Sequence, residues 1–92
     1  MIKSFKDARA EAFYQGKFVQ AFSGFGAQAL KRLLWLNAAQ TLEDLRAIRS
    51  NHLEALKGDS RGQFCVRINQ QWRGCFRWKD GNAFDVEIVD YH

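Results

Sequence analysis

Proline is absent from this sequence, methionine occurs once, and cysteine occurs twice, at Cys65 and Cys75. There is no low-complexity run and no internal repeat, so a repeat array is not indicated. No apolar stretch approaches the ~20 residues that span a bilayer, so no membrane association is expected. Residues 1–6, Met-Ile-Lys-Ser-Phe-Lys, also lack the apolar segment of a secretory signal. Two cysteines without short-range spacing make neither a disulfide framework nor a zinc motif. His52 and His92 add no recurrent ligand spacing, and no metal or other cofactor is expected. A cytoplasmic location follows, and with it two reduced structural thiols rather than a bridge.

Acidic residues are missing from one long stretch. Between Ser60 and Lys79 lie Arg61, Arg67, Arg73, Arg77 and Lys79 with no carboxylate among them. The chain carries a net charge of +4, and a polyanion partner is the natural counterpart of such a stretch. A solvated basic face accounts for the charge equally well when charge is considered alone. At 92 residues, 47% hydrophobic and 26% charged, the chain has the composition of a single globular domain, residues 1–92, with one modest core.

Apolar residues alternate with polar ones in three segments: Phe64, Val66, Ile68; Trp72, Phe76, Trp78; and Phe84, Val86, Ile88. A period of two marks half-buried strands, and Asp80-Gly81-Asn82 has turn chemistry. The segments form a three-stranded antiparallel meander. Collecting every apolar residue on one face sets Ile68 opposite Trp72 and Trp78 opposite Phe84, with Asn69-Gln70-Gln71 and Asp80-Gly81-Asn82 as loops. On the other face Cys65 then meets Cys75, Arg67 meets Arg73, Arg77 meets Asp85, and Arg73 meets Val89. Arg67 and Arg73 face only each other in this scheme. Like charges directly opposite destabilise a sheet, so compensation from outside the sheet is expected.

The segments before the meander read as mostly helical. Ile2–Phe5 suggests an edge strand, and residues 6–15 a short helix with Ala8, Ala12 and Phe13 on one side. Residues 16–26, with three glycines, suggest a loop whose Phe18, Val19, Phe22 and Phe25 need cover. Residues 27–39 place Leu30, Leu33, Leu34 and Ala38 on one helical face, with Lys31 and Arg32 turned away. Thr41 and Asp44 resemble a capping box opening a helix that buries Leu42, Leu45 and Ile48. Leu53–Leu56 alternates as a strand. The expected fold class is α+β: a small antiparallel sheet packed against two or three N-terminal helices.

Chemistry concentrates where the last strand ends. Asp90, Tyr91 and His92 follow the strand into the region of Arg73, so acid–base groups meet a cation able to grip phosphate with a planar fork of donors. A frayed, inert terminus is the ordinary alternative for three closing residues. Lys57 precedes Gly58, with no glycine-rich run to make a phosphate loop. Trp72, Phe76 and Trp78 are core residues first and a base-stacking platform second.

Taken in order, Leu56-Lys57-Gly58-Asp59, Val66-Arg67-Ile68-Asn69-Gln70-Gln71-Trp72-Arg73 with Phe76, Asp80-Gly81 and the closing Asp90-Tyr91-His92 resemble the HigB toxins of the RelE/ParE superfamily. Residues 1–6 and Leu36-Asn37-Ala38-Ala39, followed by Leu42 and Leu45, match as well. The resemblance covers nearly the whole chain and is weakest over residues 7–26. It implies a RelE-like α+β toxin that cleaves mRNA on the ribosome and is neutralised by a HigA-type helix-turn-helix antitoxin. The functional positions it implies are Lys57, Arg73, Asp90, Tyr91 and His92, with Arg61 and Arg67 as further RNA contacts. Many members carry histidine where this chain has Glu54, which leaves Glu54, or His52 two residues earlier on the same strand parity, as the second acid–base group. Which of His92, Asp90 and Glu54 acts as base or acid is open at this level. A gyrase poison on the same fold would have no need of the Asp-Tyr-His tail, and a basic RNA-binding module would bind without cutting.

Overall fold

A computed structural model of the chain describes residues 1–60 and 62–90. Three helices, α1 (Ala8–Tyr14), α2 (Gly26–Ala38) and α3 (Leu42–Arg46), precede a four-stranded antiparallel sheet. Its strands are β1 (Glu54–Ala55), β2 (Gln63–Arg67), β3 (Trp72–Lys79) and β4 (Asn82–Asp90), in the spatial order 1-2-3-4. The α+β class and the meander are as the alternation implies. Residues 2–5 do not form a full strand. They run parallel to β4 through isolated bridges, Ile2 with Ala83 and Phe5 with Val86.

The capping box at α3 is present: the Thr41 hydroxyl accepts from the Asp44 amide while the Asp44 carboxylate accepts from the Thr41 amide. Leu45 is fully buried behind it. Asp7 caps α1 in the same way, accepting from the Arg9 amide, and α1 buries Ala10 rather than Ala8. Residues 16–26 are more ordered than a glycine-rich loop. Gln20–Phe25 is a 3-10 turn that drives Phe22 and Phe25 into the core, where both rings pack on Trp72, at 5.9 and 5.0 Å between centroids. Phe18 stays 79% exposed.

Helix α2 is rotated from the face its leucines suggested. Ala29, Leu33 and Leu36 are buried, whereas Leu30 and Leu34 are exposed. Phe22 and Phe25 already fill the space above Trp72, so the smaller Ala29 presses inward. The rotation turns Arg32 toward the sheet rather than away from it. Its Nε donates to the Arg67 carbonyl at 2.8 Å and its guanidinium lies over the Trp35 ring. Burial lowers the Arg32 pKa from its ordinary value.

The β2–β3 register is the one the alternation requires: Cys65 faces Cys75 and Arg67 faces Arg73. The Ile68 amide bonds the Trp72 carbonyl. Because antiparallel pairs alternate between hydrogen-bonded and non-hydrogen-bonded, the Cys65–Cys75 and Arg67–Arg73 pairs are of the closer, non-hydrogen-bonded kind. The cysteines are joined by a disulfide, Cα to Cα 4.1 Å, instead of standing as two thiols. Direct opposition in the closer kind of pair supplies the proximity a bridge needs.

The β3–β4 hairpin departs from expectation twice, and the two departures cancel. The turn holds two residues, not three: Asp80 (φ 53°) and Gly81 (φ 77°) both occupy the left-handed region that a tight Asp-Gly hairpin turn demands. Trp78 therefore faces Ala83, and Arg77 faces Phe84. Beyond Arg77 the register shifts by one residue: Phe76 is opposed by both Asp85 and Val86, a β-bulge with Asp85 at φ 53°. Past the bulge Arg73 faces Val89, as expected. Phe84 is thereby excluded from the core that Ala83, Val86 and Ile88 enter. Ser4 secures the bulge. Its hydroxyl accepts from the Asp85 amide at 2.9 Å and its carbonyl from the Val86 amide at 3.1 Å.

Candidate nucleic-acid interface

One face of the sheet packs on the helices through Val66, Ile68, Phe76, Val86 and Ile88. The opposite face is crossed by a row of aligned positions, Glu54, Cys65, Cys75 and Glu87, with one acidic residue on each outer strand. Toward the β2–β3 loop lies the next row, Arg67, Arg73 and Val89. Toward the β3–β4 turn lies Gln63, Arg77 and Phe84. Cations thus flank a central row whose outer members are carboxylates.

Arg73 is not partnerless, as the alternation had implied. Its Nη1 donates to the Asn69 carbonyl at 2.6 Å and to the Trp72 carbonyl at 3.2 Å. The loop that supplies those carbonyls is itself fixed, because the Asn69 side-chain oxygen accepts from the Gln71 and Trp72 amides, both at 2.8 Å. Two backbone carbonyls therefore take part in positioning the guanidinium. Arg67 is held through its main chain by Arg32, and its side-chain Nε is buried with no hydrogen-bond partner among the described residues. Asp90 faces Trp72 across the ladder, and its Oδ2 accepts from Gln71 Nε2 at 2.9 Å. The Asn69–Gln71 loop therefore serves both Arg73 and Asp90.

Not all the residues singled out in the sequence converge. Arg67, Arg73 and Asp90 share one end of the sheet. Glu54 stands on β1 opposite Cys65, exposed and in the central row. Lys57 lies farther off. The Leu56 amide bonds the Gln63 carbonyl, so the chain at Lys57 has run toward the Gly62 end of the sheet. His52 is not on the strand that carries Glu54. It caps a 3-10 turn in the left-handed conformation, φ 44°, so shared strand parity does not apply to it. Arg61, Tyr91 and His92 lie outside the described residues. Arg77 does not face Asp85, as the alternation implied, but Phe84; it still reaches the Asp85 carboxylate, Nε to Oδ2 3.7 Å, both side chains about half exposed. Two participants escaped sequence reasoning. Arg32 was hidden by a helical face chosen from leucines, and Asn69 by the assumption that a loop residue only connects.

The fold is shared with known toxins. The YoeB dimer of Staphylococcus aureus superposes with a TM-score of 0.56 at 18% identity, over 99% of this chain and 97% of that one. At the level of sequence, a profile of HigB-like toxins, described as RelE-like toxins of the type II toxin-antitoxin system HigB, matches residues 3–92. Toxin HigB-1 of Vibrio cholerae serotype O1 is 34% identical over 96% of this chain and 95% of its own length. Endoribonuclease HigB of Proteus vulgaris is 30% identical, with both chains fully covered. The chain belongs to the HigB-like toxins, the RelE-like toxins of type II toxin–antitoxin systems.

Proposed function

We propose that this toxin is a ribosome-dependent endoribonuclease that cleaves mRNA without a metal and so arrests translation and growth. The observation that carries the reading is the opposed pair Arg67–Arg73, one ladder position from Asp90 at the sheet end that leads into Tyr91 and His92. Opposed arginines are costly in an empty sheet and become favourable once a phosphate lies over them. The 30% identity to a protein named Endoribonuclease HigB supports the same conclusion.

In the proposed step the ribose 2′ oxygen bonds to the adjacent phosphorus as the bond from phosphorus to the 5′ oxygen breaks. The 2′ proton passes to a base, the 5′ oxygen receives a proton from an acid, and a 2′,3′-cyclic phosphate remains. Arg73, held by the Asn69 and Trp72 carbonyls, bears the charge that grows on the phosphate, with Arg67 beside it. His92 and Asp90 supply the proton transfers, Tyr91 donates to the phosphate or stacks a base, and Lys57 and Arg61 hold flanking backbone. Glu54, at a position where the resemblance to the HigB toxins implies a histidine, is the further acid–base candidate. The partners in this reading are mRNA, the ribosome and a HigA-type helix-turn-helix antitoxin, in the cytoplasm.

The test is induction in bacteria with mapping of mRNA 5′ ends, alongside a chain lacking Tyr91 and His92. New 5′ ends with the full chain and none with a folded truncated chain are expected. Inhibition of gyrase supercoiling with intact transcripts would overturn the proposal.

A further inference from the structure

At the hairpin end of the sheet a pocket of about 490 Å³ is lined by Gly62, Arg77, Trp78, Lys79, Phe84 and Asp85. Its Phe84 wall depends on the two-residue turn. In a regular hairpin, Phe84 would follow the alternation of Val86 and Ile88 into the core. The two-residue turn places it instead opposite Arg77, on the face that carries Arg67 and Arg73. The bulge then restores core-facing positions to Val86 and Ile88. The cost is a non-glycine residue, Asp85, in the left-handed region at φ 53°, a conformation that in general takes of order 1–3 kcal/mol to hold and that re-aims neighbouring side chains.

The outcome is a half-buried phenylalanine that contacts no other aromatic ring among the described residues, which is unlike Phe22, Phe25, Phe64 and Phe76. Lys79, exposed on the same rim, makes no ion pair among the described residues. Gly62, at φ 89°, leaves its flank without a side chain. An available aromatic ring, an exposed ammonium and a carboxylate acceptor make up a chemistry that fits a nucleotide: stacking for the base, charge for the phosphate, and an acceptor for an exocyclic amino group.

The pocket lies four residues along β3 from Arg73, about 13 Å at strand rise. That is within the span of one short single-stranded segment. We infer that this pocket holds one unstacked nucleobase of the RNA whose backbone crosses Arg67 and Arg73, with Phe84 as the stacking surface and Lys79 on the adjoining phosphate. The open face of the sheet is then a track with two points of hold, one for the reacting phosphate and one for a base displaced from it. The inference rests on the RNA-cleaving reading for the identity of its ligand.

The test uses the full chain and a fluorescent single-stranded DNA oligonucleotide of mixed sequence, which lacks the 2′-OH and so is bound without being cut. Affinity is read by anisotropy. Phe84→Ala is expected to weaken binding roughly 5- to 150-fold, the range of one base–aromatic stack. Phe84→Trp should preserve it, and Phe84→Leu, which keeps apolar bulk without an aromatic plane, should behave like alanine. Lys79→Ala should flatten the salt dependence of binding.

Unchanged affinity in Phe84→Ala overturns the inference, as does full affinity in Phe84→Leu. So does a Phe84→Ala chain that binds the oligonucleotide normally but loses its antitoxin, because the surface is then a protein-docking site. Transcript mapping separates the two levels of the argument. Cut transcripts with an oligonucleotide-indifferent Phe84→Ala chain remove the pocket and leave the nuclease. Intact transcripts on induction, with weakened oligonucleotide binding by Phe84→Ala, remove the nuclease and leave the pocket.

Discussion

The Arg32 side chain of α2 donates its Nε hydrogen to the carbonyl oxygen of Arg67 on β2, 2.8 Å away. One basic residue thus fixes the backbone of another, and the second stands opposite Arg73. The helical layer reaches the cationic end of the sheet through this bond, while the guanidinium lies over the Trp35 ring, 4.9 Å from its centroid.

Arg32→Ala should therefore destabilise the fold. A charge-assisted hydrogen bond of this kind is worth about 1.5–3 kcal/mol, and in a domain this size each kcal/mol moves Tm by about 4–8 °C. Arg32→Lys should recover part of the loss, since it keeps charge but not the planar donor. Thermal unfolding of the two variants checks this. A Tm within one degree of the unaltered chain in Arg32→Ala would show that the bond contributes nothing.

Arg73→Ala should lower cleavage far more than Arg77→Ala. Arg73 is aimed by two backbone carbonyls at the sheet end where Asp90 lies one ladder position on, whereas Arg77 sits at the hairpin end and is engaged by Asp85. Losing a charge-assisted phosphate contact costs about 1.5–3 kcal/mol, or roughly 10- to 150-fold in rate if it is fully felt in the transition state. The measurement is the yield of mRNA 5′ ends after matched induction. Equal losses would place the scissile phosphate elsewhere.

Reduction of the Cys65–Cys75 bridge should lower stability without unfolding the protein. A cross-link closing a loop of this length, sequence separation 10, restricts the unfolded chain by about 3 kcal/mol in the entropic description. Unfolding in the presence and absence of a dithiol reductant reads the difference. Cys65→Ser with Cys75→Ser should match the reduced chain within about 1 kcal/mol, apart from the loss of two buried sulfurs. A Tm indifferent to reductant would contradict the bridge.

Acid should weaken the cap of α3. The Asp44 carboxyl is held below its ordinary pKa, first by the Gln40 amide, then by the Thr41 amide and hydroxyl. A carboxyl depressed in the folded state stabilises that state above its unfolded pKa, and the contribution is lost as pH falls through the folded value. Stability should therefore decline as pH drops below the ordinary carboxylate range, and Asp44→Asn should flatten that decline. An unaltered acid limb in Asp44→Asn would assign it to other carboxylates.

Glu54→Ala should leave cleavage in place, and Glu54→His should leave it unchanged or raise it modestly. Glu54 lies in the central row opposite Cys65, one row from Arg67, and in the proposed mechanism His92 and Asp90 can move both protons without it. If a folded Glu54→Ala chain leaves transcripts uncut, Glu54 is the base.

The parts of the fold legible in the sequence were those set by one local rule at a time. Period two marked β2, β3 and β4, and Thr41 with Asp44 marked the start of α3. The opposition of Arg67 to Arg73 followed from alternation alone. What escaped was decided by competition between rules. Four leucine-rich positions of α2 suggested one face, but Phe22 and Phe25 occupied the space above Trp72 and turned Ala29 inward. Asp-Gly preferred a two-residue turn over the three residues that alternation required, and a bulge reconciled them. At the site, residue types pointed to Arg73 and Asp90, but the loop carbonyls that aim Arg73 belong to no side-chain pattern and were invisible. Lys57 was associated with the site by family pattern, although the register carries it toward the other end of the sheet.

Ser4 and Asp85, which meet at the bulge, are 81 positions apart in the chain. A nascent polypeptide shorter than that cannot join Ser4 to the bulge or complete the outer edge of β4. Contacts of such long sequence separation are costly in loop-closure entropy and form late. The two halves of the sheet's outer edge are thus synthesised 81 positions apart. That edge borders the face proposed to engage mRNA, so a chain that still lacks β4 has no finished site to turn on the machinery producing it.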